Sequence, residues 1–187
     1  AFAQRIAARS IAVGADTAAV TCIHAPHPEE VGADRIANAV AAEKLYGAPS
    51  IVVDFGTATN IDVVDSDGYY IGGAIAPGLR ISMDALVARA ARIASIPLET
   101  PPHAIGRTTE EAVQSGAVLG TAAMVEGLVG RIRAELGAPE ARVIATGGLA
   151  NIVADSTNVF DVVDGQLTLK GICEIARRMR DRVPRTA

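Results

Sequence analysis

SIVVDFGTATNIDVVDSDGYYIGGAIAPG, residues 50–78, contains three strand patterns separated by two turns, and its reading decides the fold. Ser50-Ile51-Val52-Val53-Asp54 is a short apolar run that predicts a buried strand. Phe55-Gly56-Thr57-Ala58 turns the chain, and Thr59 to Val64 returns as a second strand. Asp65-Ser66-Asp67-Gly68 carries the residues of a hairpin turn, and Tyr69 to Ile75 forms a third strand. Pro77-Gly78 ends the run. The expectation is an antiparallel meander.

Working outward, Ile36, Val40, Ala41 and Leu45 recur at helical spacing behind Gly32-Ala33-Asp34-Arg35, and Gly47 and Pro49 stop that helix. Upstream, Ala18 to Ile23 predicts a strand, His24 to Pro28 a loop, and Phe2, Ile6 and Ala7 an opening helix that begins at residue 1. Downstream, Ser82 is expected to cap a helix running to about Ser95, followed by a Pro-rich connection from Ile96 to Gly106. Thr108 and Glu111 have the spacing of a capping box at the head of a helix reaching about Leu136. Arg142 to Ala145 predicts a strand leading into Thr146-Gly147-Gly148 and a short helix. A strand near Val159–Val162, a turn at Asp164-Gly165 and a helix from about Lys170 complete the chain. A meander followed by helices and returning strands is α/β architecture without the regular βαβ alternation of a Rossmann fold.

Half of the residues are hydrophobic and only 3% are aromatic, so the core must be built from Ala, Val, Ile and Leu. Net charge is −4 without a block of like charge, which argues against nucleic acid and against a polybasic membrane anchor. No apolar stretch approaching the ~20 residues of a membrane span stands out, and the N-terminus lacks a secretory apolar region. Cys22 and Cys173 fit no spacing motif, which suits reduced thiols in a cytoplasm. Cys22, His24 and His27 offer three zinc ligands with no fourth nearby in sequence.

Asp54-Phe55-Gly56-Thr57-Ala58-Thr59 sets a carboxylate, a Gly and two hydroxyls on a tight turn. Such a turn can approach a polyphosphate through backbone N–H groups, with Asp54 holding a cation; it can equally be a plain hairpin. Asp34 and Arg35 at a helix start admit two readings. Asp34 either interacts favourably with the helix dipole or accepts a proton from a substrate hydroxyl, with Arg35 binding a substrate anion. Gly147-Gly148 opens a helix after a strand, where backbone can meet a nucleotide or merely turn. The Thr109 hydroxyl, next to the capping residue, either meets a ligand or faces solvent.

In order along the chain, GADRIANAVAA (32–42), IVVDFGTATN (51–60), GYYIGGAIAPGL (68–79), GRTTEEAVQSGAVLG (106–120), VIATGGLA (143–150) and LTLKGI (167–172) resemble the type III pantothenate kinases. The resemblance covers roughly residues 28–180 and rests on the joint occurrence of these strings. It implies an actin-like (ribonuclease H-like) ATPase fold, with residues 1–48 the remainder of a first lobe and 49–187 a second lobe. It further implies ATP-dependent phosphorylation of pantothenate, the first step of coenzyme A biosynthesis. Asp34 then matches the proton acceptor, and Gly32, Ala33, Asp34, Arg35 and Thr109 the pantothenate site. Asp54 matches the position holding a monovalent cation, K+ or NH4+. Gly56, Thr57, Thr59, Gly147 and Gly148 match the ATP side, with Mg2+ as the nucleotide's companion. The family implies a cytoplasmic homodimer, and Ile75, Ala76, Leu79, Ile81 and Met83 are the apolar residues expected at its interface. Asn60 replaces a usual Thr, Cys22 to His27 departs from the family's approach to the GADR string, and a phosphate loop of Asp-x-Gly-Asn-Thr type is expected before residue 1. A non-catalytic, nucleotide-binding or regulatory relative is the alternative.

Overall fold

In the computed structural model, residues 12–14, 17, 21–89 and 96–182 are described. The expected opening helix lies outside them, as does the first half of the strand expected over Ala18–Ile23; in its second half Thr21 is helical rather than extended, and Ile23 makes only an isolated parallel bridge with Tyr70.

The meander is present. Strands β1 (Ser50–Phe55), β2 (Ala58–Val64) and β3 (Tyr70–Pro77) pair antiparallel in sequence. Asp65 closes the second turn by accepting the Asp67 and Tyr69 N–H groups on Oδ1. β4 (Arg142–Thr146) then lies parallel beside β1, and β5 (Val162–Val163) parallel beside β4. The sheet order is β3-β2-β1-β4-β5, with β2 running against the other four.

Helices cover both faces. On one face, Ile51, Val53, Phe55, Ile61, Val143 and Ala145 pack against Val118, Ala122, Val125 and Val129 of the long helical run Thr109–Leu136. This run comprises α3 (Thr109–Gln114), a π turn (Ser115–Leu119) and α4 (Gly120–Leu136), which follow α2 (Leu79–Arg89). On the other face, α1 (Ala33–Tyr46) contributes Ala41 and Ala42 to a cluster with Val52, Ile144 and Leu167 of α6 (Leu167–Arg182). The short helix α5 (Ala150–Ala154) follows the turn after β4.

Helices α1 and α6 cross closely because residue 171 is glycine. A Cβ there would sit 1.9 Å from the Ala37 carbonyl oxygen, so any side chain would force the helices apart.

Several boundaries differ from the sequence reading. α2 starts at Leu79, so Ser82 sits inside its first turn with its N–H bonded to the Gly78 carbonyl rather than serving as the cap. The capping box is skewed. Thr108 Oγ1 accepts the Glu111 N–H, but Glu111 Oε2 reaches the Arg107 N–H, one residue earlier than expected. α6 begins at Leu167, not Lys170, because Asp164 Oδ1 accepts the Gln166 N–H and draws the chain into the helix early. β5 is only Val162–Val163. Finally, Thr109–Leu136 holds an 18-residue window of mean hydropathy 1.3, which meets the length and composition of a membrane crossing and which the sequence reading did not single out. Its buried stripe packs on the sheet.

Candidate active site

Asp54 sits at the carboxyl end of β1, beside Thr146 at the same end of the parallel strand β4. In open α/β sheets, the crevice beyond such strand ends is where ligands bind. Period-two alternation puts Asp54 on the face covered by α1, because its neighbours Val53 and Phe55 occupy the other face. Asn38 of α1, fully buried, donates from Nδ2 to Asp54 Oδ2 at 2.9 Å. Asp54 Oδ1 takes no hydrogen bond among the described residues; it lies 3.6 Å from a Cβ built on Gly56 and 2.5 Å from one built on Gly147. That space depends on glycine at 147, where a Cβ would clash, whereas a Cβ at 56 would make only ordinary contact. Gly147 also has φ +93, a conformation that glycine adopts freely. Burial raises the Asp54 pKa; the Asn38 donor opposes the shift, and the nearby Asp34 charge adds to it.

Asp34 is exposed in the first turn of α1, where Oδ1 accepts the Arg35 N–H at 2.9 Å. Gly32 and Ala33 precede it at the helix mouth. Arg35 turns inward. Its Nε donates to Asp62 Oδ1 at 2.7 Å, and its guanidinium lies 5.7 Å from the centre of the Tyr70 ring. Asp62 is 0% exposed. Burial pushes its pKa up to about 6, against the opposing charge and hydrogen bond of Arg35 and the bond from Tyr70, while Asp34 adds to the rise. The Tyr70 hydroxyl is itself pushed up to about 12, first by burial and then by the Asp62 charge.

The structure therefore brings together Asp34, Arg35, Asp54, Gly56 and Gly147. Thr57 and Gly148 are exposed in the two turns that flank Asp54. Thr59 stands apart. Its register partner is Phe55, so its side chain shares the opposite face, 1% exposed and with Oγ1 unpartnered among the described residues. Thr109 is exposed as the first residue of α3. Cys22, His24 and His27 do not gather as ligands. His24 stacks on Tyr69, and His27 groups instead with Glu29 and Glu30, all three exposed.

Asn38, Asp62, Tyr70 and Thr168 escaped the sequence reading. The available signal was a polar residue inside an apolar block, as in Ala37-Asn38-Ala39 and Ile61-Asp62-Val63. Such a residue must find a partner when its segment is buried.

A family model described as type III pantothenate kinase matches residues 1–131. A type III pantothenate kinase of Thermomicrobium roseum is 57% identical over 84% of this chain and 60% of its own length. The chain belongs to the type III pantothenate kinase family. Family members from Paramagnetospirillum magneticum and Frankia alni are 52% and 53% identical, over 81% and 78% of this chain and 58% of each relative. The chain thus spans about six tenths of the length of the curated family members it matches. A crystal structure from Campylobacter jejuni, described as a Baf family transcriptional activator, superposes with TM-score 0.60 over 87% of this chain and 71% of that one. At 20% identity, that likeness establishes a shared fold.

The Asp62 shift carries a pH consequence for this family member. Asp62 holds a proton in the folded chain up to about pH 6, whereas the unfolded carboxyl releases it near 3.8. The associated stability is complete below the unfolded pKa and is lost as pH rises through about 6. Two pKa units correspond to about 3 kcal/mol. Urea unfolding at about pH 4 and about pH 7.5 should show the parent losing about 2–3 kcal/mol more than Asp62→Asn across that interval. Parallel losses in the two proteins would rule the shift out.

Proposed function

We propose that the protein containing this chain transfers the ATP γ-phosphoryl group to the hydroxyl of pantothenate, giving 4'-phosphopantothenate at the start of coenzyme A biosynthesis in the cytoplasm. The observation that carries the reading is the meeting, on one sheet face, of the exposed Asp34 turn with the half-buried Asp54 carboxylate between two glycine turns. Family membership supports it.

In this reading Asp34 accepts the proton from the pantothenate hydroxyl as its oxygen attacks the γ-phosphorus. The bond from phosphorus to the bridging oxygen breaks and ADP leaves with that electron pair. Gly32 and Ala33 line the pantothenate pocket. Arg35, held through Nε by Asp62, presents its terminal N–H groups to the pantothenate carboxylate. Thr57 with Gly56 approaches the ATP phosphates, and Gly147-Gly148 forms the adenosine side.

Asp54 Oδ1 and the cradle beside Gly147 fit a monovalent cation, K+ or NH4+, with Mg2+ travelling on the nucleotide. When bound, these ions supply positive charge that offsets the phosphate oxygens.

The sheet order, with β2 alone reversed, supports an actin-like (ribonuclease H-like) lobe over residues 49–187. Residues 1–48 would then be the remainder of the first lobe, with α1 its bridging helix.

The test is to incubate the full-length protein with ATP, Mg2+, K+ and pantothenate, then to identify the product by mass. Phosphopantothenate formed with an equal amount of ADP is expected. ATP hydrolysis independent of pantothenate, or no turnover, would refute the reading.

A two-fold homodimer is also expected. Ile75 is 64% exposed and Ile81 48%, with Ile71 and Leu86 exposed nearby in sequence, which is apolar surface for a second subunit. Leu79 and Met83, expected to share that surface, are instead buried at 2% and 5% exposure, because α2 turns them inward. In the dimer Thr109 would lie near the shared pantothenate pocket. Light scattering at micromolar concentration should give twice the mass of the full-length chain; the mass of one chain would exclude the dimer.

A further inference from the structure

Asp54 is served by a chain of side chains that reaches the last helix of the protein. Thr168, the second residue of α6, donates from Oγ1 to Asn38 Oδ1 at 2.7 Å, and Asn38 Nδ2 donates to Asp54 Oδ2 at 2.9 Å. Asn38 is 0% exposed, so each end of its amide needs a protein partner and has one. The amide can sit in only one sense. Turned over, it would point Oδ1 at an Asp54 oxygen, two acceptors in contact. The chain therefore commits Oδ2 to the protein and leaves Oδ1 facing the glycine turns at 56 and 147.

The reach of Thr168 depends on packing one turn further along. Gly171 lets α6 lie against the Ala37 carbonyl, the residue next to Asn38. Asp164 anchors the start of α6 from the other side, accepting the Tyr46 hydroxyl and the Lys170 ammonium, each at 2.7 Å. The neighbouring elements α1 and β1 are thus joined to the distant α6 through one hydrogen-bonded chain ending at the Asp54 carboxylate.

We propose that Asn38 and Thr168 are positioning residues for the cation at Asp54: they orient the carboxylate so that Oδ1 alone is offered, and they couple the seating of α6 to the nucleotide crevice. The inference rests on the reading of Asp54 as the cation-holding residue. Hydrogen bonds behind a ligating side chain typically change metal affinity by about 10–100-fold when removed. Asn38→Leu keeps the approximate volume and removes both bonds, Thr168→Val keeps the shape and removes only the first donor, and Thr168→Ser restores that donor.

The experiment is thermal unfolding of the full-length protein with a non-hydrolysable ATP analogue. KCl is titrated against choline chloride at constant ionic strength, and the K+ concentration giving half of the stabilisation is read. Relative to the parent, that concentration should rise about 10–100-fold in Asn38→Leu and at least about threefold in Thr168→Val, and should return to the parent value in Thr168→Ser. A purely structural role would lower every melting curve equally and leave the half-point where it was. If the parent is stabilised by K+ and both variants keep its half-point, the positioning role is overturned while the cation site stands. If the parent shows no K+-specific stabilisation, the cation reading fails and takes this inference with it. Should Asn38→Leu not fold, Thr168→Val against Thr168→Ser decides alone.

Discussion

Asp34→Asn in the full-length protein lowers the phosphorylation of pantothenate by about 10²–10⁴-fold, the usual contribution of a positioned general base, and leaves the fold in place. The substitution is nearly isosteric. The one hydrogen bond Asp34 makes among the described residues, accepting the Arg35 N–H at 2.9 Å, is available to the amide oxygen of Asn as well. What disappears is the capacity to take a proton. A carboxylate serving only the helix dipole from an exposed first turn would leave turnover close to that of the parent. A second effect accompanies either role. The Asp34 charge opposes ionisation of both Asp54 and Asp62, so its removal should let these carboxyls ionise at lower pH. Steady-state rates at neutral pH measure turnover, and melting curves across a pH series report both the fold and the carboxyl ionisation. Near-parent turnover in a folded protein would end the assignment.

Gly147→Ala should lower kcat/KM for ATP by at least about 10²-fold, which is about 2.7 kcal/mol at 1.36 kcal/mol per tenfold. Two independent penalties combine. At φ +93 an L-residue with a Cβ is strained by about 1–2 kcal/mol. The added methyl would also stand 2.5 Å from Asp54 Oδ1 and 2.7 Å from the Phe55 backbone, neither of which can retreat cheaply. β1 and β4 hold Phe55 and Thr146 in the sheet, so the turn between β4 and α5 must give way. Relief therefore moves the turn out of the nucleotide crevice. Pantothenate binding, read by calorimetry, should change little, because Gly32 to Arg35 sit on α1 rather than on this turn. A kcat/KM for ATP within about twofold of the parent would show that the turn does not face the nucleotide.

Local chemistry made much of the fold legible. The meander could be read from alternating apolar residues and the Asp65–Gly68 turn, and α1 from its spacing and the Gly47 stop, because each depends on neighbours a few residues apart. The short strand β5, and the position of the Asp164 cap that starts α6 early, were misplaced because the backbone bonds that set them come from elsewhere. Asp161 and Asp164 donate their N–H groups to Val143 and Ala145 of β4, and no periodicity announces that. The candidate site divides in the same way. Asp34, Asp54 and the glycines at 56 and 147 lie in short strings with recognisable chemistry. Asp62 answers Arg35 from 27 residues away and Thr168 answers Asn38 from 130, so their roles exist only once the sheet is assembled. Thr59 shows the converse. Its hydroxyl looked like a phosphate donor in the string, and the two-residue period of β2 turned it to the opposite face.

The parallel seam between β1 and β4 also sets an order of assembly. The meander closes through short turns, whereas the seam must wait for the chain from β2 through α4 to be gathered in, a long loop with a larger entropic cost. The Gly147 turn lies beyond that seam, so it is among the last pieces to take shape during folding. We expect pulsed amide exchange during refolding to protect β2 and β3 before β4; simultaneous protection would contradict that order. Nucleotide seated against this turn would act on the latest folding step, slowing the unfolding of the seam more than that of the hairpin.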